Sequence, residues 1–554
     1  MPQLQSPFWP KRLPRHLSVP QTSLSFNLEV TARRHPDKPA IVFYDSTLTY
    51  AQLKDQAERM AGFLQQVCGV AKGDRVILYT QNSPQFVIGY YAILRADAVV
   101  IPVNPMNKTG ELRHYVTDSD ATVALTTQEL YPQLAPLLAD GGLRHAVVGA
   151  YSDALDAPTD LPVPGFVREP RRAIAGPGVT LWGEAIARGL APAPARASPD
   201  DLCVMPYTSG TTGNPKGCMH THRTVMTTLV GGAAWIGTPP DAVVLATLPM
   251  FHVTGMQANM NAPIHGGNTV VVLPRWDADA AAALVQRYRV NDWAAIATMV
   301  VDLLSSPRLA EFDLSSLARI KGGGAAMPEA VAQRLQDLLG LRYIEGYGLS
   351  ETMAPVSANP PEHPKKQCGG IPIFDTDARI VDPTTLMELP QGEVGEIVVN
   401  APQVFLGYWK APEATQEAFM ALEGKQFFRT GDLGYLDEEG YLFIVDRLKR
   451  MINAAGFKVW PAEVENILYQ HPAVQEACVI AARDPHRGET VKAVLVLKQA
   501  FRGQVSEQDI VAWAKDNMAA YKYPRLIEFR DELPRSGTGK VQWRVLQELE
   551  LQKH

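Results

Sequence analysis

Short runs of β-branched and apolar residues alternate with segments of helical periodicity through the first half of the chain. The runs at 75–79, 99–103, 122–125 and 146–148 are of strand length. Between them lie patterns such as 49–66, where Leu53, Ala57, Met60, Ala61 and Leu64 share one helical face. That alternation restricts the fold to α/β, with parallel sheets covered by helices. A second such series follows at 243–247, 269–273, 293–298 and 342–345, while the Pro-, Ala- and Gly-rich stretch 153–197 reads as a surface loop. Near Asp377 the texture changes to short strands at 378–381, 396–399 and 441–445, separated by Gly, Pro and acidic turns. After Asp446 the pattern is compact α+β, with a helix from Pro461, strands at 477–482 and 491–497, and a helix from Ser506. The expected division is a large N-terminal domain, 1–446, with a β-rich subdomain at about 375–446, and a smaller C-terminal domain, 447–554.

Composition narrows the function. The 554 residues are 46% hydrophobic and 20% charged, as in ordinary globular proteins, which excludes a largely disordered chain or a coiled coil. A net charge of −6 gives no reason to expect a nucleic acid or an anionic membrane surface as partner. The five cysteines, at 68, 203, 218, 368 and 478, form no C-x-x-C pair, so a reducing, cytoplasmic setting is expected. The longest apolar run, 87–103, is broken by Arg95 and Asp97, so no membrane span is expected, and the proline-rich N-terminus lacks the apolar core of a signal peptide.

The most informative segment is Tyr207-Thr-Ser-Gly-Thr-Thr-Gly-Asn-Pro-Lys-Gly217, placed between an apolar strand and a helix-like run. Its glycines allow close approach of backbone N–H groups, its hydroxyls donate, and Lys216 supplies charge, a combination suited to polyphosphate. It is not a G-x-x-x-x-G-K-[ST] loop, because residue 215 is proline. Gly539-Lys540 also fails that pattern, with Pro534 in place of the first glycine.

Further motifs follow in order: Gly346-Tyr-Gly-Leu-Ser-Glu-Thr352, Phe428-Arg-Thr-Gly-Asp432, Asp446-Arg-Leu-Lys-Arg-Met-Ile-Asn-Ala-Ala-Gly456 and Pro534-Arg-Ser-Gly-Thr-Gly-Lys540. Taken together, over nearly the whole chain, they resemble the adenylate-forming (ANL) superfamily in its acyl-CoA synthetase, or fatty-acid–CoA ligase, branch. The resemblance implies ATP-dependent, AMP-forming activation of a carboxylic acid to an acyl-adenylate and then to acyl-CoA. It implies ATP, Mg²⁺ and coenzyme A as the small-molecule partners.

The same resemblance implies roles for individual residues. Thr208, Ser209, Gly210, Thr211, Thr212, Gly213 and Lys216 would hold the β- and γ-phosphates. Gly324, Ala325, Tyr347 and Gly348 would contact the nucleotide, with Tyr347 against adenine. Thr352 would bind the α-phosphate and Glu351 would hold Mg²⁺, a hard cation suited to carboxylate and phosphate oxygens. Asp432 would accept hydrogen bonds from the ribose hydroxyls, with Arg447 beside it. Lys540 would bridge carboxylate and α-phosphate as the catalytic lysine. Lys449 would be the hinge about which the C-terminal domain rotates between two half-reactions, and Gly456 would border the thiol channel. Many relatives carry lysine where this chain has Asn453.

The acid is less constrained. His252 stands where amino-acid-activating relatives have an aspartate for the substrate ammonium, which disfavours an α-amino acid. Phe251, His252, Gly322, Gly323 and Met353 are expected to line the acyl pocket, the glycines leaving room for a chain or ring. A medium- or long-chain fatty acid fits best. An aryl, alicyclic or short-chain acid remains as an alternative, as does a stand-alone adenylating enzyme that loads a carrier protein. No carrier module follows in the 554 residues, which favours CoA, and a homodimer is compatible with the chain. Three rivals stand beside these. Gly348-Leu-Ser-Glu-Thr352 is one glycine short of a G-x-S-x-G serine-hydrolase elbow. A non-enzymatic adenylate-binding scaffold would be expected to lose Lys540 or Glu351. A luciferase-like oxygenase would need a special substrate. His220-x-His222 offers at most two metal ligands and reads as the polar start of a helix.

Overall fold

The computed structural model of this chain describes residues 6–208, 215–324, 326–454, 457–484, 488–536 and 540–553. Among these, a nine-stranded sheet runs in the order Ile371–Pro372, Ala354–Ala358, Tyr343–Leu349, Arg319–Gly323, Asp292–Ala294, Val243–Ala246, Thr269–Val272, Pro39–Phe43 and Ser46–Thr49. Its central strands are parallel and its edges antiparallel. A seven-stranded sheet has the order His220–Thr221, Leu202–Val204, Val99–Pro102, Arg75–Tyr79, Val123–Thr127, His145–Gly149 and Val179–Leu181. Strands such as Val99–Pro102 are buried along their whole length, which is why they read as apolar runs and not as alternating ones. One apolar cluster spans both sheets, including Leu78 and Leu125 from the second and Leu245 and Val270 from the first.

The helices start where local chemistry satisfies their free N–H groups. Thr49 and Gln52 form a reciprocal capping box ahead of Tyr50–Gln66. Ser83 caps Pro84–Arg95, with proline in the first turn where no N–H is missed. The stretch 153–197 departs from expectation. It contains the edge strand Val179–Leu181 and the helix Trp182–Ala187, whose Trp182 is buried against the seven-stranded sheet. Three-residue strands packed by a single tryptophan leave no periodic signal.

From Asp377 a five-stranded antiparallel sheet forms from Asp377–Val381, Gly395–Asn400, Phe419–Leu422, Lys425–Leu436 and Leu442–Arg447. The register sets Asp432 opposite Arg447. A single 3-10 turn, Leu448–Arg450, then leads into a last α+β unit. Its sheet is Ile452–Ala454, Phe457–Val459, Val474–Asp484, Gly488–Leu497 and Leu526–Phe529, with helices Pro461–Leu468, Glu507–Asn517 and Trp543–Leu551. Among the described residues no helix is long and apolar enough to cross a membrane. All five cysteines are free and buried.

Candidate active site

Of the predicted residues, Gly322 to Gly324 lie at the carboxyl end of the strand Arg319–Gly323, and Tyr347 and Gly348 at that of the parallel strand Tyr343–Leu349, the end at which open α/β sheets present their ligand crevices. Gly324 follows the first of these strands at φ +87°, a backbone angle that glycine adopts without a steric cost. Lys540, from the far end of the chain, lies directly over it. A Cβ on Gly324 would stand 2.7 Å from Lys540 Cε and 2.9 Å from Nζ. Lys540 faces the open cleft, yet the protein atoms around its ammonium lower its pKa, and the Arg447 charge adds to that effect.

Tyr347, Asp432 and Arg447 form the next layer. The Tyr347 hydroxyl donates to Asp432 Oδ2 at 2.7 Å, and Arg447 Nε lies 2.9 Å from Asp432 Oδ1. Asp432 is buried while Arg447 is exposed, so the pair presents its charge towards the cleft. Asp432 holds the Arg447 pKa above its ordinary value. His252 caps the short helix Val253–Met256, its Nδ1 accepting from Thr254 N at 3.4 Å. Burial, and secondarily the Lys540 charge, push its imidazole down to about 3, so the ring is neutral at physiological pH.

The opposite end of the cleft is acidic and basic by turns. Tyr207–Thr208 pairs with Lys216–Gly217 as a hairpin, which sets Thr208 opposite Lys216. Ser209, Gly210, Thr211, Thr212 and Gly213 lie outside the described residues, as do Ala325 and Gly456. The side chains of Lys449 and Asn453 are likewise not described, and the Lys449 backbone lies in the turn Leu448–Arg450. Glu351 is buried, and burial raises its pKa despite the hydrogen bond that Tyr408 donates to Oε1 at 2.9 Å. Among the described residues it makes no ion pair, so the carboxylate is available as an anionic oxygen ligand. That donor set fits a hard divalent cation shared with phosphate oxygens.

Two expectations, for Thr352 and for the Gly322–Gly323 pair, need correction on physical grounds. Thr352 is fully buried, and its hydroxyl is used within its own turn, accepting from Leu349 N at 3.0 Å and donating to Ala354 O at 2.8 Å. It has no free hydroxyl to offer an α-phosphate, whereas Ser350 stands half-buried at the start of the same turn. Gly322 and Gly323 do not open space for an acyl chain on their Cβ side. A Cβ on Gly322 would meet Ala295 O at 1.9 Å and the Tyr343 hydroxyl at 2.2 Å, and one on Gly323 would meet Gly346 O at 2.2 Å. These glycines let adjacent strands close. Met353 is fully buried at φ +48° in the apolar core. Phe251 is half-buried at the edge of that core, and Gly348 packs against the Ala354 backbone.

Sequence reasoning missed Tyr408 and Glu345. Glu345 precedes the Gly-Tyr-Gly motif on the same strand. It is buried, accepts from Gln367 N at 3.1 Å, and is pushed up to about 8 by burial. His220 and His222 do not converge. His220 Nε2 lies 2.8 Å from the backbone oxygen of Ser350, and His222 Nδ1 accepts from Leu24 N at 3.1 Å. His220 therefore bonds the carbonyl of Ser350 and not its hydroxyl, and its other nitrogen contacts Thr224 Oγ1 at 3.1 Å. That arrangement lacks the nucleophile–base contact of a serine hydrolase.

Among the described residues, the buried acid Asp432 and the cations Lys216, Arg447 and Lys540 come from separate elements and no serine–histidine contact is present, an arrangement that suits a nucleotide-dependent ligase better than a hydrolase. The AMP-binding enzyme model matches residues 28–409, and the AMP-binding enzyme C-terminal domain model matches residues 463–540. A long-chain-fatty-acid–CoA ligase of Bacillus subtilis is 35% identical over 563 aligned positions, covering 100% of this chain and 99% of its own. A feruloyl-CoA synthase of Amycolatopsis is also 35% identical, covering 92% of this chain and 95% of its own. The crystal structure of an anthranilate CoA ligase in complex with anthranoyl-AMP superposes with a TM-score of 0.85 at 26% identity, covering 98% of both chains. The chain belongs to the AMP-binding enzyme family, in the acyl-CoA synthetase branch of the adenylate-forming superfamily.

Proposed function

We propose that this enzyme activates a medium- or long-chain fatty acid with ATP and transfers the acyl group to coenzyme A. The observation that carries the reading is the position of Lys540 over Gly324, beside the Asp432–Arg447–Tyr347 group. A carboxylate oxygen attacks the α-phosphorus and pyrophosphate leaves. The thiol then attacks the acyl carbon and AMP leaves. Lys540 neutralises the charge shared by the carboxylate and the α-phosphate. Asp432 accepts from the ribose hydroxyls, Tyr347 lies along the adenine, and Thr208 to Gly213 with Lys216 hold the outer phosphates. Ser350, in place of Thr352, offers the α-phosphate a hydroxyl. Glu351 would hold Mg²⁺, which supplies charge neutralisation at the phosphates when bound. Neutral His252 and Phe251 border the acyl end, where an uncharged ring tolerates an apolar substrate.

Units 1–446 and 447–554 move relative to each other about Lys449, presenting Lys540 for the first step and the Gly456 loop for the second. The setting is cytoplasmic, as five unpaired, buried cysteines suit a reducing compartment. Aryl acids are the second reading, favoured by the equal identity to the feruloyl-CoA synthase.

Purified enzyme is given ATP, Mg²⁺ and CoA with acids from acetate to palmitate, and with benzoate, ferulate and cyclohexanecarboxylate. AMP and acyl-CoA peaking with an aliphatic acid of eight carbons or more are expected. A peak on ferulate or benzoate replaces the fatty-acid reading with the aryl one. Pyrophosphate release without thioester points to a carrier protein as acceptor.

A further inference from the structure

One residue outside every motif described above touches both ends of the phosphate side of the site. The segment Phe405–Trp409 is laced to the hairpin and to the acidic turn by backbone bonds. Leu406 N donates to Met219 O at 3.0 Å, Trp409 N donates to Gly217 O at 2.8 Å, and Phe405 N donates to Glu351 O at 2.8 Å. Cys218 and Tyr408 face each other as an antiparallel bridge. These bonds leave the Tyr408 ring little freedom, and its edge packs on Phe405 at 4.8 Å between ring centroids. From that position the hydroxyl donates to Glu351 Oε1 at 2.9 Å, and the ring face lies 5.4 Å from the ammonium of Lys216.

We propose that Tyr408 is a positioning residue that fixes Glu351 and Lys216 together. Its hydroxyl holds one carboxylate oxygen and leaves the other for the cation, and its ring seats the lysine that meets the outer phosphates. The proposal rests on the adenylate-forming reading of the site. The two contacts have distinct chemical purposes. A carboxylate with one oxygen tethered cannot rotate to a bidentate or outward rotamer, so its free oxygen stays aimed. A lysine seated on an aromatic face is oriented without being neutralised, which a carboxylate partner would do. Among the described residues Lys216 makes no ion pair, so its charge remains for phosphate. Tyr408 is 57 residues from Glu351 in the chain.

The two contacts can be separated by substitution in the full chain. Tyr408→Phe removes the hydroxyl and keeps the ring, and Tyr408→Leu removes both. Titration calorimetry measures ATP binding with and without Mg²⁺, with Glu351→Gln as the reference for loss of the cation contribution. The expected result for Tyr408→Phe is about a fivefold or greater loss of the affinity gained on adding Mg²⁺, with metal-free ATP binding within about twofold of wild type. Tyr408→Leu is expected to weaken metal-free ATP binding as well, by about three- to tenfold, through the unseated Lys216. A general packing defect would weaken both titrations in the phenylalanine variant, and that result overturns the proposal. So does a phenylalanine variant that keeps the wild-type gain from Mg²⁺ while Glu351→Gln loses it. If wild-type protein binds no ATP with or without Mg²⁺, the adenylate-forming reading itself falls and the assignment of Tyr408 falls with it.

Discussion

A carboxyl group buried on the strand Tyr343–Leu349 carries its own pH signature. Glu345 is held near 8 against an ordinary value of 4.5, because burial opposes its charge and the backbone N–H groups of Gln367 and Met327 offset only part of that penalty. Below pH 4.5 both the folded and unfolded chains hold the proton. Between 4.5 and 8 the unfolded chain releases it and the folded chain keeps it, so stability falls as pH rises through that window. Glu345→Gln keeps the shape and removes the titration. Its stabilisation is expected to be near zero at pH 4.5 and to grow to about 1–3 kcal/mol at pH 8. Urea unfolding at the two pH values measures the difference, and an equal effect at both would show that the carboxyl titrates normally. Residue identity alone showed where Glu351 and Thr352 sit in the motif, but gave no signal for Glu345, one residue before it. It did not show that the Thr352 hydroxyl is spent inside its own 3-10 turn, because that depends on how the turn points the side chain.

At the scale of elements, the turn between the two units is held by a buried charge cluster. Arg450 lies 2.5 Å from Glu465 Oε1, 3.7 Å from Asp446 Oδ1 and 3.2 Å from the carbonyl of Val479, with the Trp543 ring 5.6 Å away. Burial works against the guanidinium charge, and the Glu465 and Asp446 carboxylates outweigh it, so its pKa rises. The cluster thereby joins the turn Leu448–Arg450 to the helices Pro461–Leu468 and Trp543–Leu551, the second of which begins three residues beyond Lys540. Arg450→Met leaves two buried carboxylates without their cation, a change that costs about 3–5 kcal/mol. Calorimetry is expected to show the C-terminal unit melting as a separate, earlier transition while the main transition stays in place. A single unshifted transition would mean that the cluster contributes no net stability. The helix from Pro461 and the strand at 477–482 were legible in sequence, since amphipathic helices and fully buried strands imprint their period, whereas the helix Trp543–Leu551 was not among the expected elements. The cluster was not, because Glu465 and Arg450 become neighbours only when the last sheet closes. The same holds for Gly322, which the sequence marks as open space and the fold fills with the Ala295 carbonyl and the Tyr343 hydroxyl.

For the whole molecule, the proposed mechanism divides the chemistry between two bodies, with Lys540 as the group that the smaller one lends to the larger. In that mechanism its ammonium is needed where negative charge accumulates on the α-phosphate and the incoming carboxylate, and has no such work once the adenylate is made. Lys540→Ala is therefore expected to slow acid-dependent ATP–pyrophosphate exchange by about 10²–10³. Conversion of a supplied acyl-adenylate to thioester should stay within about threefold of wild type, since in the proposed mechanism that step proceeds with the lysine withdrawn. The pH dependence carries the same logic. The protein atoms around its ammonium and, secondarily, the nearby Arg447 charge lower the Lys540 pKa, so the ammonium is lost at a lower pH than in a free lysine. Exchange should fall on the alkaline side earlier than a solvated lysine would allow, and Lys540→Arg, which does not titrate in that range, should remove the fall while retaining part of the rate. If both half-reactions drop together in the alanine variant, Lys540 is holding the two bodies in place and not serving the first step. The alkaline limb distinguishes those roles a second time, because a lysine that only holds the bodies in place would still titrate, but its loss of charge would depress thioester formation as much as exchange.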